Sequence, residues 1–265
     1  MQVEAVWRYP VKSMLGEQLT KVQVGAGGIR GDRQYAVLDA VTGTVASAKQ
    51  PRRWRSLLAI TASHVNGTIE LRLPGEPALS LDHPDVDDRL SAFLGRSVRV
   101  SGIPTAGANI DRADPEQVLD RGLDAEVSSP KLVLGQAVPE PTFLDYAPLH
   151  LISTATLEHV GTHALRYRPN LVLRTPPGAA PYAETAWVGS TLTLGDVVLQ
   201  VILPTPRCAV PVLAHGTTTP DPNALRILMR ENRIHVAGFG VLPAAGVYAT
   251  VQRPGTLTKG TDVTV

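Results

Sequence analysis

The chain has 265 residues, a 43% apolar fraction, a formal net charge of +1 and a single cysteine. That charge balance offers no strong field for nucleic acid or a membrane surface, and one thiol excludes an internal disulfide, a multi-cysteine zinc site and an iron–sulfur cluster. The opening Met1-Gln2-Val3-Glu4 lacks the basic-then-apolar order of a signal peptide and no apolar run reaches membrane-spanning length, so a soluble, cytoplasmic protein is expected.

Glycine (23) and proline (22) punctuate the chain throughout, and short apolar or alternating runs lie between them, the rhythm of a strand-rich fold with tight turns. In the first part the patterns predict strands at Val3–Tyr9, Leu19–Val24, Gln34–Leu38, Leu57–Ser63, Thr68–Leu73 and Val98–Val100. Asn66-Gly67 predicts a hairpin turn. One helix is predicted over Asp85–Leu94, with Asp85 as cap, Leu90, Phe93 and Leu94 facing inward and Gly95 as stop. Ile103 to about Pro141 shows little periodicity and reads as a linker or long loop. The second part opens with an apolar strand ending at Ser153, which caps a helix to about His163. Leu171–Arg174 reads as a strand, and Thr191–Leu194 with Val197–Leu203 as a hairpin. A helix follows over Pro220–Glu231, capped by Asp221 with Pro222 in its first turn. Val247–Val251, Thr256–Thr258 and Val263–Val265 close the chain as strands.

Of the 25 basic residues only Lys12, Lys21, Lys49, Lys131 and Lys259 are lysine, and an arginine excess suits anion binding. Three basic stretches bear on that. Tyr9-Pro10-Val11-Lys12-Ser13 pairs an ammonium with a hydroxyl on a proline-fixed turn, fit either for a phosphate or for a solvated loop. Gly31-Asp32-Arg33 precedes a strand, so it is neither a Rossmann fingerprint nor a P-loop, and Arg33 either pairs with Asp32 or forks onto an anion. Arg168-Pro169-Asn170 sets a cation beside an amide that both donates and accepts, as a heterocycle requires, or else marks a strand entrance. The lone thiol lies in Thr205-Pro206-Arg207-Cys208. Proline stiffening and the neighbouring Arg207 favour a held thiolate, a soft-metal ligand or nucleophile; the alternative is a small, inert buried residue. His159 and His163 have helical spacing but no acid between them, and read as helix-surface residues.

Taken together, these stretches resemble the MOSC superfamily, named for the C-terminal domain of molybdenum cofactor sulfurases, over nearly the whole chain. Tyr9-Pro10-Val11-Lys12-Ser13, Gly31-Asp32-Arg33 and Ala48-Lys49-Gln50-Pro51 resemble the β-barrel module that precedes many MOSC domains. Ala147-Pro148-Leu149-His150-Leu151, Arg168-Pro169-Asn170, Gly195-Asp196, Arg207-Cys208 and Pro254-Gly255-Thr256 resemble MOSC itself. The nearest group is that of the mitochondrial amidoxime-reducing components and their bacterial counterparts. The resemblance implies an α+β, β-barrel-rich fold, with an N-terminal barrel module over 1–103 and a linker plus MOSC domain over 104–265. It implies a molybdenum cofactor (Mo-molybdopterin), with Cys208 as metal ligand and catalytic residue. Lys12, Ser13, Arg33, Arg168, Pro169, Asn170 and Arg207 would hold its phosphate and pterin, and Tyr146, Ala147 and Tyr248 would line the site partly through backbone. It implies reduction of a small N-hydroxylated or N-oxide substrate. Electrons would come from a separate ferredoxin- or flavoprotein-like partner, since this chain has no cysteines for a cluster. The alternative within the superfamily is a sulfur or cofactor carrier with a persulfide on Cys208; a pyridoxal phosphate label also attaches to the superfamily. One departure stands out: relatives tend to have a small hydroxyl residue where this chain has Pro206, which removes a donor.

Overall fold

The computed structural model describes residues 1–265, and alternating burial explains its first half. β1 (Gln2–Arg8) buries Val3 and Val6 in one core, a bulge between Val3 and Ala5 bringing both to the same face. β2 (Glu17–Leu19) and β3 (Lys21–Gly25) follow, with Thr20 dividing the single strand expected over Leu19–Val24. Then come β4 (Gly28–Ile29), β5 (Ala36–Asp39) and the short helix α1 (Pro51–Trp54). The strand expected at Leu57–Ser63 starts late. Arg55–Ala59 is a 3-10 turn that buries the adjacent Leu57 and Leu58, and β6 begins at Thr61 (Thr61–Val65). Leu57 packs into the core of the first half and Leu58 into a separate small cluster with Cys208 and Val210. β6 and β7 (Thr68–Arg72) form the hairpin predicted at Asn66-Gly67, whose φ values are 50° and 87°. After β8 (Leu79–Ser80), α2 (Val86–Leu94) buries Leu90 and stops at left-handed Gly95 as expected. Asp85 holds the cap position but makes no side-chain cap; its own N–H donates to His83 Nδ1 (3.2 Å). β9 (Val98–Ser101) pairs with β5.

The stretch read as a linker is folded. It holds β10 (Asn109–Asp111), α3 (Pro115–Arg121) and β11 (Lys131–Val133), with β10 and β11 paired antiparallel. The Asp114 carboxylate caps α3 by accepting from the N–H groups of Glu116 (2.9 Å) and Gln117 (3.1 Å). These elements are too short to show a period. Ala113 and Val118 pack against Ala209, and Arg112 donates to the Arg207 carbonyl (3.1 Å), so the segment backs the wall that carries the thiol.

β12 (Leu149–Ser153) is buried along its whole length, and the Ser153 hydroxyl caps α4 (Thr154–Val160) by accepting from Thr156 N–H (3.1 Å). That helix stops at left-handed Gly161, short of His163. β13 (Leu171–Arg174), β14 (Thr191–Leu194) and β15 (Val197–Pro206) follow as expected, except that β15 runs on through both prolines. α5 (Asn223–Glu231) starts where Asp221 accepts from Asn223 N–H (3.0 Å). β16 (Arg233–Val236), unforeseen in the sequence, folds as a hairpin on the long β17 (Gly240–Arg253), and β18 (Gly255–Thr258) and β19 (Val263–Thr264) complete the chain.

Strands far outweigh helices in this mixed α+β fold, but the sheets are open and do not close into barrels. The largest runs β19-β14-β15-β17-β12-β13-β1-β2, with β16 attached to β17. Within it only β12 and β13 are parallel. β1 therefore completes a sheet built mostly by the second half, and β3 pairs with β18 near the C-terminus. One core joins Val3, Val6, Val22, Val24 and Ile29 to Leu171, Leu199 and Val247. A second, around Leu57, Ile60, Leu71 and Leu90, belongs to the first half alone. No helix is long and apolar enough to cross a membrane.

Candidate functional site

Lys12, Ser13 and Arg33 from the first half and Arg168, Arg207 and Cys208 from the second line one cleft. Three of them hold left-handed backbone: Ser13 (φ 63°), Arg33 (46°) and Arg168 (53°). Such conformations cost non-glycine residues about 1–3 kcal/mol each and persist where the surroundings over-determine them. Arg33 and Arg168 flank the Tyr9 ring, their guanidinium carbons 4.4 and 4.3 Å from its centroid. Tyr9 is fully buried and donates to the Pro169 carbonyl (3.2 Å), and burial pushes its phenol up, so it stays neutral.

Two carboxylates answer part of this charge. Arg33 pairs with Asp32 (2.5 Å) and donates to the Arg168 carbonyl (3.3 Å). Lys12 donates to the Phe143 carbonyl (2.8 Å) and pairs with Asp145 (2.5 Å), whose other oxygen takes Lys49 (3.1 Å). Burial brings Lys12 down to about 8 despite Asp145. Burial opposes ionisation of Asp145, yet Lys12 and Lys49 outweigh it and hold the carboxyl well below its ordinary range. Arg168 has no counter-ion. Both terminal nitrogens are buried without a hydrogen-bond partner, and burial together with the Arg33 charge lowers it to about 10. Counting Lys12, Lys49, Arg33, Arg168 and Arg207 against Asp32 and Asp145 leaves five cations to two carboxylates. A buried, unpaired guanidinium is costly, and an anion in the cleft would relieve it.

The opposite wall is the end of β15 and the residues after it. Alternation turns Thr205 inward, and Cys208 lies buried on the cleft two residues past the strand. The Arg207 backbone N–H donates to the Pro243 carbonyl (2.7 Å). Its guanidinium donates to the Tyr167 carbonyl (2.8 Å) and His150 Nε2 (3.3 Å), leaving Nε unpartnered. Burial and then the Arg207 charge press His150 well below its ordinary range. The imidazole is thus neutral, which is what frees Nε2 to accept from Arg207.

Ala147, Asn170 and Tyr248 also line the cleft. Asn170, however, spends its amide internally: Oδ1 accepts from His150 N–H (3.1 Å) and Nδ2 donates to Asp32 (3.0 Å). It positions β12 against the Asp32 turn and has little left for a heterocycle. Ser13 likewise accepts from Ala48 N–H (3.1 Å). Tyr146 and Pro169 are not on the lining. Tyr146 stands behind Tyr248 (ring centroids 5.5 Å) and against Phe239 (5.4 Å), and Pro169 contributes the carbonyl that holds Tyr9. His159 pairs with Glu231 (2.6 Å) away from the cleft. Sequence reasoning gave no site role to Lys49, Asp145, His150 or Thr205. Strand alternation through the prolines would have found Thr205; nothing local marks Asp145 as the partner of two lysines.

Fold and cleft define a β-rich protein with one cation-rich cleft that carries its single cysteine. Residues 1–111 match the MOSC N-terminal beta barrel domain and residues 140–264 the MOSC domain, so the chain belongs to the MOSC superfamily. It is similar to mouse mitochondrial amidoxime-reducing component 1 (24% identical over 98% of this chain and 81% of the relative). The rat component 2 is 24% identical and human component 1 is 22% identical, each over 98% of this chain and 82% of the relative. A solved structure, the YUAD protein from Bacillus subtilis, aligns over 99% of this chain and 93% of that one with a TM-score of 0.45 and 10% identity.

Proposed function

We propose that this protein is a molybdenum-cofactor-dependent reductase of small N-hydroxylated or N-oxide compounds, supplied with electrons by a separate redox protein. The family and the names of its amidoxime-reducing relatives support the class of reaction. The observation that carries the reading to this chain is the free, buried Arg168 guanidinium in the same cleft as the only thiol. The residues fit such a cofactor: surplus cations suit its phosphate, and a cysteine sulfur on the lining suits a soft metal. When bound, the cofactor supplies a metal able to take an oxygen atom from an N–O group.

The chain's own residues do the rest. Arg168, with both terminal nitrogens free, binds the anion, while Asp145 keeps Lys12 and Lys49 drawn together beside it. Neutral His150 and the Tyr167 carbonyl fix Arg207, so the backbone leading to Cys208 is held from both ends. Burial raises the Tyr248 phenol, which therefore stays a protonated donor on the lining. Leu58 and Val210 pack with Cys208 and make the wall around the sulfur apolar. Reduction of an N-hydroxyl group to the amine consumes two electrons and two protons and releases water, so the partner must deliver both electrons.

The test is elemental and pterin analysis of protein made in a host replete in molybdenum cofactor, with benzamidoxime turnover under a reconstituted electron donor. About one molybdenum per chain is expected. Cys208→Ser is expected to keep the fold, lose turnover by at least about a thousandfold and retain part of the pterin, since a neutral hydroxyl is a poor ligand where a thiolate is a good one. Sulfane sulfur on Cys208 without metal, or a serine variant as fast as wild type, would overturn the reading.

A further inference from the structure

Thr205 is 2% exposed, lines the cleft, and its hydroxyl has no hydrogen-bond partner. A buried hydroxyl without a partner is costly, and native structures rarely keep one without use. Its orientation is set by the strand. Buried and half-buried residues alternate along β15 from Val197 to Pro206, so Thr205 takes a buried position, while half-buried Pro206, also on the lining, has no N–H and no hydroxyl. β17 adds a constraint: its pairing with β15 is irregular between Pro204 and Pro206, so the backbone around Thr205 is stiffened by proline on both sides and by an uneven ladder opposite. Three residues further on, Cys208 lies on the same wall.

We infer that the Thr205 hydroxyl is a ligand-binding donor of the cleft, directed at an oxyanion or anionic oxygen seated beside Cys208. Arg168 and Arg207 Nε are the other lining groups with unpartnered N–H donors, so the three residues offer hydrogen bonds from the end of β15 and from the turn before β13. The inference rests on the functional reading only for the identity of the ligand; the donor role itself holds for any oxyanion.

Thr205→Val keeps the shape of the side chain and removes the hydroxyl, and Thr205→Ser keeps the hydroxyl. Three measurements are made on wild type and both variants: the thermal midpoint of the cofactor-free protein, the pterin retained per chain after purification, and the dissociation constant of the cofactor-free protein for inorganic molybdate. A structural hydroxyl and a binding hydroxyl predict opposite patterns. Replacing an unsatisfied buried hydroxyl by a methyl group leaves the midpoint of the valine variant unchanged or higher. The same change is expected to weaken molybdate by about tenfold and to lower retained pterin, with serine within about twofold of wild type. A lower midpoint with unchanged molybdate affinity and unchanged pterin in the valine variant would overturn the inference while leaving the functional reading intact. Wild type that retains no pterin, but whose molybdate affinity still falls on valine substitution, would sink the functional reading and uphold this one. If wild type binds neither, both fail.

Discussion

Lys12 couples the cleft to pH. Its ammonium is buried against Asp145 and brought down to about 8 from an ordinary value of 10.5. Below about pH 8 the cation is present, and above it the cleft loses one positive charge while Asp145 stays ionised. Sulfate, whose own charge is fixed in this range, is therefore expected to bind cofactor-free protein several-fold more weakly at about pH 9 than at about pH 7. Stability moves the other way. The unfolded chain binds the proton more tightly than the native one, so Lys12 destabilises the fold below about pH 8, and that cost is relieved as pH rises from there towards 10.5. Lys12→Met should flatten both trends; a sulfate pH profile unaltered by that change would show that another group titrates. At this scale the sequence was legible where a role is carried by neighbours along the chain, as in the Asp32–Arg33 pair. It was not legible where a long-range partner decides the role. Lys12 is held by Asp145 and the Phe143 carbonyl, and Asn170 was claimed by Asp32 and the His150 backbone.

Single elements place these residues, and β17 does so through one glycine. Gly246 has φ 77° and lies in the stretch where the pairing with β15 is uneven. A Cβ there would sit 2.4 Å from His150 Nε2 and 2.5 Å from the Leu151 carbonyl oxygen. The displaced imidazole is the one that fixes Arg207. Gly246→Ala is expected to cost about 2–4 kcal/mol, from backbone strain plus overpacking. Gly43→Ala shares the positive φ (70°) with nothing within 4 Å of the added carbon, so strain alone, about 1 kcal/mol, should remain. Urea unfolding of the two variants separates the terms, and equal losses would refute the role of close approach. Element boundaries were readable where a cap or a turn residue carries the signal: Ser153 before α4, Gly95 after α2, Asn66-Gly67 between β6 and β7. The folded segment from β10 to β11 escaped notice because its strands have three residues each, too few for a period, although Asp114-Pro115 is a helix-start signal in its own right.

Strand pairing across the whole chain is what no local pattern encodes, and it governs how the molecule holds together. β1 lies between β2 and β13, β3 pairs with β18, and Val3, Val6, Val22, Val24 and Ile29 are buried in the core of the second half. At about 1.5–3 kcal/mol for each buried aliphatic side chain, those five residues contribute on the order of 10 kcal/mol. That is comparable with the about 5–15 kcal/mol that separates a typical folded domain from its unfolded state. Removing them would also leave β13 with an unpaired edge, an invitation to aggregation. A fragment of residues 140–265, which holds the MOSC match, is therefore expected not to fold alone, and the full chain is expected to unfold in one transition. Because both halves line the cleft, sulfate should shift that single transition as a unit, by an amount set by its concentration relative to its dissociation constant. Amide proton dispersion and urea unfolding of the fragment decide the matter. A fragment with dispersed resonances and a cooperative transition would show that β1 and β3 are accessories to a self-sufficient second half; broad resonances and a gradual curve are the expected result.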